Sequence, residues 1–426
     1  MIKRPFFGFG KPKVAVVEGQ DVEALRATPL PPKVTLCLKH PDVGMNKLVV
    51  KTGDRVRTGQ KLMLAEENDG YVISTATGSI SDISEHTGYL GQTWLTISID
   101  AEEKDQWDDA FNEAGKTPTP ENALAFLCSL PGDPEFGTSL NTQHPPDTLI
   151  INGFDRDLFI STNQYILKNE MDHLMEGVGH LKKIAPGVRI IMVAPPGLTL
   201  EAEKAGAEIQ VVNALYPDTL PECMMKDVVG RVAPPDGNCR DVGVGFLPAE
   251  SVAALAKAYG EGRIPVDKIV TIIKKDGETL HVKARIGTPV GHILSDLGLE
   301  TGHGDRLVLG GPMTGKAVYS EDTSIMADTD ALMVQDKKDI PGSSDSHCVN
   351  CGECVRACPA NVPVNMLVRL LENGLYEEAA EQYDLFSCIE CGICSYVCMA
   401  RIPLFHYIML GKLEFTRSGT AEGSDA

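Results

Sequence analysis

The pattern of hydrophobic and polar positions changes its period along the chain, and each change indicates a different kind of structure. Over residues 34–83, short apolar runs are separated by turn signals at Gly44, Gly53-Asp54, Gly59, Asp69-Gly70 and Gly78. Apolar runs of this length between such turns are typical of short β-strands. The first part of the chain is therefore predicted to be a small β domain.

The period lengthens after residue 120, where strand-like and helix-like segments begin to alternate. The segments "DTLIING" and "GVRIIMVAPP" predict buried strands, and residues 162–184 have the apolar spacing of a helix. This alternation predicts a parallel sheet in an α/β domain. After the turn-rich "APPDGNC", one helix, the strands "KIVTIIKK" and "TLHVKARIG" and the short helix "TPVGHILSDLG" predict a mixed α+β unit.

Composition and charge narrow the range of functions. The chain has 426 residues, of which 43% are hydrophobic and 23% charged, as in ordinary globular proteins. Its formal net charge of −20 excludes nucleic acid as an expected partner, because phosphate binding needs a basic surface. No stretch approaches the ~18 apolar residues that span a bilayer, and the start of the chain does not have the pattern of a signal peptide.

Two cysteine runs carry the clearest chemistry. "CVNCGECVRACP" and "CIECGICSYVCM" both have the spacing Cys-x2-Cys-x2-Cys-x3-Cys, which is the bacterial ferredoxin pattern for 4Fe-4S clusters. In two-cluster proteins the fourth cysteine of each run binds the other cluster. We therefore assign cluster 1 to Cys348, Cys351, Cys354 and Cys398, and cluster 2 to Cys388, Cys391, Cys394 and Cys358.

The alternative for these runs is a pair of structural zinc sites, which a single Cys-x2-Cys pair would allow. Two complete runs of identical spacing favour the clusters. Met399 stands where the second run would have its proline, so we expect a local backbone difference there. The 29 residues between Cys358 and Cys388 include two helix-like segments, and this connection resembles the helical type of two-cluster ferredoxin.

The β part resembles the lipoyl/biotinyl family through "GDRVRTGQKL…TATGSISDI". That family carries its swinging cofactor on a lysine at a hairpin tip, whereas the tip here, "AEENDGY", contains no lysine. We therefore expect the fold of that family without its carrier function.

Over nearly its whole length the chain resembles the RnfC family, which comprises the C subunits of the Rnf ion-translocating electron transport complex. The most specific matches are "DTLIING", "IGTPVGHIL", "LGGPMTG" and "CIECGICSYVC…PL…YIMLGK". The resemblance implies an N-terminal arm with a lipoyl-like barrel-sandwich domain (1–115), a Rossmann-like domain similar to the flavin subunit of complex I (116–235), a β-grasp, SLBB-like domain (236–335), a helical two-cluster ferredoxin domain (336–415) and a disordered tail (416–426).

The same resemblance implies FMN and NAD(H) as cofactors, but the loops that bind them are altered. The family's G-x-G-G-A-G-F-P-T loop corresponds to "LCSLPGDPEFGTSL", in which prolines remove amide donors and carboxylates repel phosphate. In the second loop, N-G-x-E-C-E-P, Arg156 replaces the cysteine. The candidate FMN/NAD positions are Asn152, Gly153, Asp155, Asp157, Gly310 and Gly311. Two interpretations remain: altered binding, or a site that has degenerated into scaffold, which we favour.

The expected function is a peripheral electron-transfer subunit on the cytoplasmic side of the prokaryotic inner membrane. The implied partners are the membrane subunits and the ferredoxin-like subunit of an Rnf complex, with a ferredoxin or a cytochrome as further electron partners. The alternative is a soluble flavin- and NADH-dependent reductase of the cobalamin-reductase type, which shares the architecture. A third alternative keeps the clusters only for structure.

Overall fold

The computed structural model describes residues 12, 14–16, 25–39, 47–65, 70–115, 117–140, 145–235, 237–344 and 346–424. The predicted lysine-free hairpin tip at residues 66–69, the first 11 residues of the arm and the last two residues of the tail lie outside the described residues.

The N-terminal β domain consists of two small antiparallel sheets. Its strands are β3 (Lys33–Lys39), β4 (Arg55–Val56), β5 (Lys61–Met63), β6 (Tyr71–Ile73), β7 (Gly78–Thr87) and β8 (Thr93–Ala101). One sheet has the order β3-β8-β7-β4, and β5 pairs with β6. Alternate residues point inward, so that Val34 and Leu36 pack against Ile97 and Ile99 in one core. The sandwich that the resemblance to the lipoyl/biotinyl family implies is therefore present.

The arm does not belong to this sandwich alone. It contributes two short strands, β1 (Val14–Ala15) and β2 (Arg26–Ala27), and each joins a sheet of a later unit. β1 pairs with β12 (Leu215–Tyr216), and β2 pairs with β15 (Thr279–Arg285). The predicted domain 1–115 is corrected in this respect, because the free edges of distant sheets take up the arm.

The α/β unit has a parallel sheet in the order β11-β10-β9-β13, which confirms the parallel sheet predicted from the alternating pattern. Its elements are α1 (Ala110–Gly115), α2 (Pro120–Phe126), α3 (Phe136–Ser139), β9 (Thr148–Asn152), α4 (Thr162–Asn169), α5 (Met171–Ile184), β10 (Arg189–Ala194), α6 (Thr199–Ala202), β11 (Glu208–Val211), α7 (Pro221–Val229), β13 (Val244–Pro248) and α8 (Ala249–Glu261).

The boundary predicted at residue 235 falls inside this unit and is corrected. β13 pairs in parallel with β9, and the alanine-rich α8 packs with α5 in the same hydrophobic core. The unit therefore extends to Glu261, because the sheet needs β13 to cover the second edge of β9. Phe111 of α1 also lies in this core, before the boundary predicted at residue 115.

The α+β unit has a mixed sheet in the order β17-β16-β18-β14-β15-β2. Its further elements are β14 (Asp267–Ile273), α9 (Val290–Leu297), β16 (Arg306–Leu309), β17 (Lys316–Val318) and β18 (Ala331–Gln335). α9 covers one face of the sheet, where Val290 and Ile293 are fully buried.

The cysteine-rich unit is helical. Its helices are α10 (Glu353–Ala357), α11 (Val364–Glu372), α12 (Tyr376–Gln382), α13 (Ile393–Val397) and α14 (Leu404–Ser424). α14 continues through the region predicted to be a disordered tail, which is a correction. Phe415 packs against Phe386, and Arg417 donates a hydrogen bond to the carbonyl of Gly91, so the helix is anchored beyond residue 415. Among the described helices, none has the length and apolarity needed to cross a membrane.

A buried ion group joins the α/β and α+β units. The Lys268 side chain on β14 is fully buried, and its ammonium lies 2.6 Å from Glu250 and 3.3 Å from Asp330. The second oxygen of Glu250 accepts a hydrogen bond from the Ile269 amide at 2.7 Å. These partners compensate the desolvation of all three charges only when they are present together.

We expect Lys268→Met to lower the free energy of unfolding by about 3–5 kcal/mol, because it leaves the buried Glu250 and the half-buried Asp330 without their cation. The measurement is urea unfolding monitored by circular dichroism. Lys274→Met is the matched control, since Lys274 pairs with Glu278 at the surface and its loss should cost less than about 1 kcal/mol. Equal losses in the two variants would contradict the prediction.

Candidate functional site

The two cysteine runs form the same loop twice. Each run has a short helix between its second and fourth cysteines, α10 in the first run and α13 in the second. The left-handed φ angles agree at three pairs of positions: Asn350 and Glu390 (56° and 58°), Gly352 and Gly392 (72° and 70°), and Asn361 and Arg401 (57° and 55°). The identical spacing in the sequence therefore becomes an identical backbone.

The backbone difference expected at Met399 is absent, so that prediction was wrong. After the first run the Asn361 amide donates to the carbonyl of Cys358 at 3.3 Å. After the second run the Arg401 amide makes the equivalent bond to Cys398 at 3.1 Å. The same turn closes both runs, because this hydrogen bond requires no proline.

The first cysteine set surrounds one small cavity. The cavity is lined by Cys348, Cys351, Cys354 and Cys398, so it brings the last cysteine of the second run to the first three of the first run. Burial and, to a smaller extent, the other three thiols together raise the pKa of the Cys354 thiol to about 11. Cys351 is exposed, which leaves this set close to solvent.

The second set is buried more deeply. Burial raises the pKa of Cys391 to about 12 and also raises that of Cys394, and in each case Cys388 and Cys358 add to the effect. The amide of Glu390 points at the Cys388 sulfur, and the amide of Val362 points at the Cys358 sulfur, each at 3.4 Å. Amides directed at sulfur are what a bound cluster uses to spread its negative charge.

Both sets fit an iron–sulfur cluster better than a single metal ion. Within the described ranges, no three His, Cys, Asp or Glu side chains are arranged to hold one metal ion. The first set encloses a cavity instead. Gly352, which has a positive φ, lines this cavity and allows the backbone to come close to it. When a cluster is bound, it supplies one-electron transfer, and the thiols must lose their protons to bind it.

Three segments outside the second run contact its backbone. The Tyr216 hydroxyl donates to the Cys391 carbonyl at 2.6 Å, and the Lys412 ammonium donates to the Cys388 carbonyl at 2.8 Å. A Cβ on Gly392 would lie 2.4 Å from the Met313 carbonyl oxygen, so only glycine fits. Sequence reasoning did not identify Tyr216 and Lys412 as contacts of this run, although Lys412 lies in the segment "YIMLGK" that matches the family.

Asp157 is hydrogen-bonded to the segment "GGPMTG" of the α+β unit (residues 310–315), which we call the glycine run. The Asp157 carboxylate accepts hydrogen bonds from the Met313 amide at 3.1 Å and from the Thr314 amide and hydroxyl at 2.7 and 2.8 Å. A Cβ on Gly311 would lie 2.5 Å from the Asp157 carboxyl carbon, and Gly310 has a φ of 105°. The amides that could have faced a phosphate therefore face Asp157.

The other predicted nucleotide positions make their contacts inside the α/β unit. The Asn152 side chain accepts from the Phe154 amide at 2.9 Å, and Gly153 leaves room for Leu167, whose Cδ1 would lie 2.2 Å from an added Cβ. Asp155 is fully buried and accepts from the Asn163 amide at the start of α4 at 2.8 Å. Burial raises the pKa of this carboxyl to about 7.

The six predicted positions do not form one site. Asn152 lines a cavity of about 430 Å3 beside the "PGDPE" loop, which we call the loop cavity, whereas Asp157, Gly310 and Gly311 line a different cavity. Five acids line the loop cavity, and its two cations are Arg156 and Arg240. The acids are Asp133, Glu135, Glu222, Asp328 and Asp330. Arg240 already pairs with Glu135, so the loop cavity opposes a phosphate group.

Comparison with known proteins gives two domain matches. Residues 17–104 match the RnfC barrel sandwich hybrid domain, and residues 347–402 match the 4Fe-4S dicluster domain. These matches support the sandwich fold and the two-cluster interpretation of the cysteine runs.

Similar full-length proteins are C subunits of ion-translocating complexes. The C subunit of an ion-translocating oxidoreductase complex from Pectobacterium carotovorum is 28% identical over 85% of this chain and 51% of its own length. The C subunit of a proton-translocating ferredoxin:NAD(+) oxidoreductase complex from Clostridium ljungdahlii is 28% identical over 93% of this chain and 91% of its own. The chain thus spans about half the length of the first relative.

A crystal structure of an NAD+-reducing NiFe hydrogenase is 14% identical and covers 72% of this chain and 62% of its own, with a TM-score of 0.45. A likeness at this level carries no functional argument.

The raised pKa of Asp155 predicts a pH-dependent stability. An unfolded Asp titrates near pH 4, so between about pH 4 and 7 the folded state holds a proton that the unfolded state has lost. The free energy of unfolding should therefore fall as pH rises through this window, by up to about 1.4 kcal/mol per pH unit.

Asp155→Asn should remove this contribution, because an amide does not titrate, and urea unfolding at several pH values measures it. Asp276→Asn, on an exposed turn, is the control and should keep the wild-type slope. Parallel pH profiles for the wild type and Asp155→Asn would contradict the assignment of the slope to Asp155.

Proposed function

We propose that this chain, whose homologues are C subunits of ion-translocating oxidoreductase complexes, is the peripheral electron-transfer subunit of such a membrane-bound complex. The observation that carries the proposal is the pair of cysteine loops in a domain of the 4Fe-4S dicluster type. Two one-electron centres held in one small helical unit form a relay, and the chain needs no other redox group to pass electrons along it.

The interlocked cysteine sets are the proposed ligands. Cluster 1 takes Cys348, Cys351, Cys354 and Cys398, and cluster 2 takes Cys388, Cys391, Cys394 and Cys358. The shared cavity of the first set and the mutual effect of the second set on the pKa values of its thiols support this division. Since each run contributes to both clusters, the two clusters are held at a fixed separation.

We further propose that FMN and NADH binding is weakened or lost in the Rossmann-like domain. The acidic lining of the loop cavity, the burial of Asp155 and the binding of Asp157 to the glycine run all support this. The parallel sheet supports a Rossmann-like fold, and the mixed sheet covered by α9 supports a β-grasp, SLBB-like fold for the next domain.

Electrons would then enter or leave through protein partners. The proposed partners are the membrane subunits and the ferredoxin-like subunit of the complex, with a ferredoxin or cytochrome as a further carrier, on the cytoplasmic side of the inner membrane. The alternative, a soluble flavin- and NADH-dependent reductase, requires an intact nucleotide site, and the homologues do not favour it.

The test is the optical spectrum of anaerobically purified protein, with iron, sulfide and flavin analysis, before and after NADH and then dithionite. We expect about eight iron and eight sulfide per chain, no stoichiometric flavin, bleaching by dithionite and no bleaching by NADH. Stoichiometric flavin together with NADH-dependent bleaching would instead support the reductase.

The interlocked assignment predicts that single serine substitutions act on the opposite cluster. Cys398→Ser should remove or alter cluster 1 and leave cluster 2 intact, although Cys398 lies in the second run. Cys358→Ser should do the reverse. Iron content and electron paramagnetic resonance of the reduced protein distinguish the two clusters, and Cys37→Ser, on β3 of the N-terminal β domain, is the control. Loss of the cluster of the same run would refute the crossed assignment.

A further inference from the structure

A second cavity, which we call the cluster cleft, lies directly beside the second cysteine run. It has a volume of about 760 Å3 and is lined by α7, the second run and α14, with Cys388 itself in its wall. This volume lies within the range of small-molecule sites, which is about 300–1,000 Å3. A molecule in the cleft would therefore lie against a ligand of the proposed cluster 2.

The charge of the cluster cleft is opposite to that of the whole chain. Four cations line it against two acids, Glu222 and Glu390; the cations are Arg156, Lys226, Lys316 and Lys412. Lys412 pairs with Glu390 at 2.8 Å, and burial raises the pKa of Glu222. Among the described lining residues the cations thus outnumber the acids by two, in a protein of net charge −20.

Two of these cations are available to a ligand. Among the described residues, the side chains of Arg156 and Lys226 have no hydrogen-bond or salt-bridge partner. Arg156 lies where the cluster cleft meets the acidic loop cavity, since it lines both. An anion near Arg156 is therefore repelled from the loop cavity and attracted toward the cluster cleft.

The cluster cleft also has aromatic lining residues, against which a planar aromatic ligand could stack. Tyr89, Phe386 and Phe405 line the cleft, and the Lys316 ammonium lies 5.0 Å from the centre of the Tyr89 ring. Aromatic side chains stack on planar ligands, while the cations hold an acidic group. The lining thus combines the two features that an aromatic anion requires.

We propose that the cluster cleft binds a small, planar aromatic anion that exchanges electrons with cluster 2. The proposal rests on the relay function proposed above and assigns it a small-molecule electron partner. A quinone of this class would lie beside Cys388, which would hold cluster 2. Two clusters, when bound and reduced, would supply one electron each, and the quinone with these two electrons and two protons from water would become the hydroquinone.

The experiment uses the full chain, reduced with dithionite and freed of excess reductant under anaerobic conditions. Two probes are compared by stopped-flow absorbance of the clusters: 1,4-naphthoquinone-2-sulfonate, which is anionic, and 1,4-naphthoquinone, which is neutral. The wild type should be reoxidised by the sulfonate with saturation at high concentration. The variants are Lys226→Gln and Arg156→Gln, each with unchanged iron content. The control is Lys204→Gln, an exposed lysine that lines none of the cavities.

Lys226→Gln and Arg156→Gln should each slow reoxidation by the sulfonate about fivefold and leave the neutral quinone unaffected, because only the sulfonate needs the cation. Lys204→Gln should behave as the wild type with both probes. Equal rates with the sulfonate in all variants, or equal slowing with both probes, would overturn the cleft as an anion site while leaving the relay intact. If neither quinone reoxidised the reduced clusters, the cleft would be refuted, whereas the relay would be refuted only if dithionite reduced no cluster at all.

Discussion

The structure depends on one contact among three units, in which the glycine run holds Asp157 on one side and the second cysteine run on the other. The Asp157 carboxylate of the α/β unit accepts from the Met313 and Thr314 amides, and the Met313 carbonyl packs against Gly392. A larger residue at Gly311 or Gly392 would collide with Asp157 or with the backbone. The backbone of the metal loop is thus positioned by residues that were expected to hold a nucleotide.

Charge is distributed unevenly over this framework. Lys268 is buried with Glu250 and Asp330, the loop cavity is lined mostly by acids, and the cluster cleft has more cations than acids. Since an acidic cavity repels phosphate and a cationic cleft attracts anions, the two cavities select opposite ligands. The proposed site of electron exchange therefore lies beside the second run, and not over the altered glycine loop.

The two cysteine sets also differ in their surroundings. Cys351 is exposed, whereas the second set is held from outside by Tyr216 and Lys412. Reduction potentials of such clusters depend on burial, on hydrogen bonds and on nearby charge. Two loops of nearly identical backbone therefore provide two different electrostatic environments.

The sequence by itself determined the features that depend on local spacing. The spacing Cys-x2-Cys-x2-Cys-x3-Cys specified both cysteine loops, and the alternation of strands and helices predicted the parallel sheet. Both patterns depend only on residues that are close together in the chain. Only the tertiary structure decided that β1 and β2 join distant sheets, that β13 belongs to the α/β unit and that α14 continues past residue 415. It also decided that Asp157 is bound to the glycine run and that the Tyr216 hydroxyl reaches the Cys391 carbonyl. These outcomes depend on contacts between residues far apart in the chain, which no local pattern encodes.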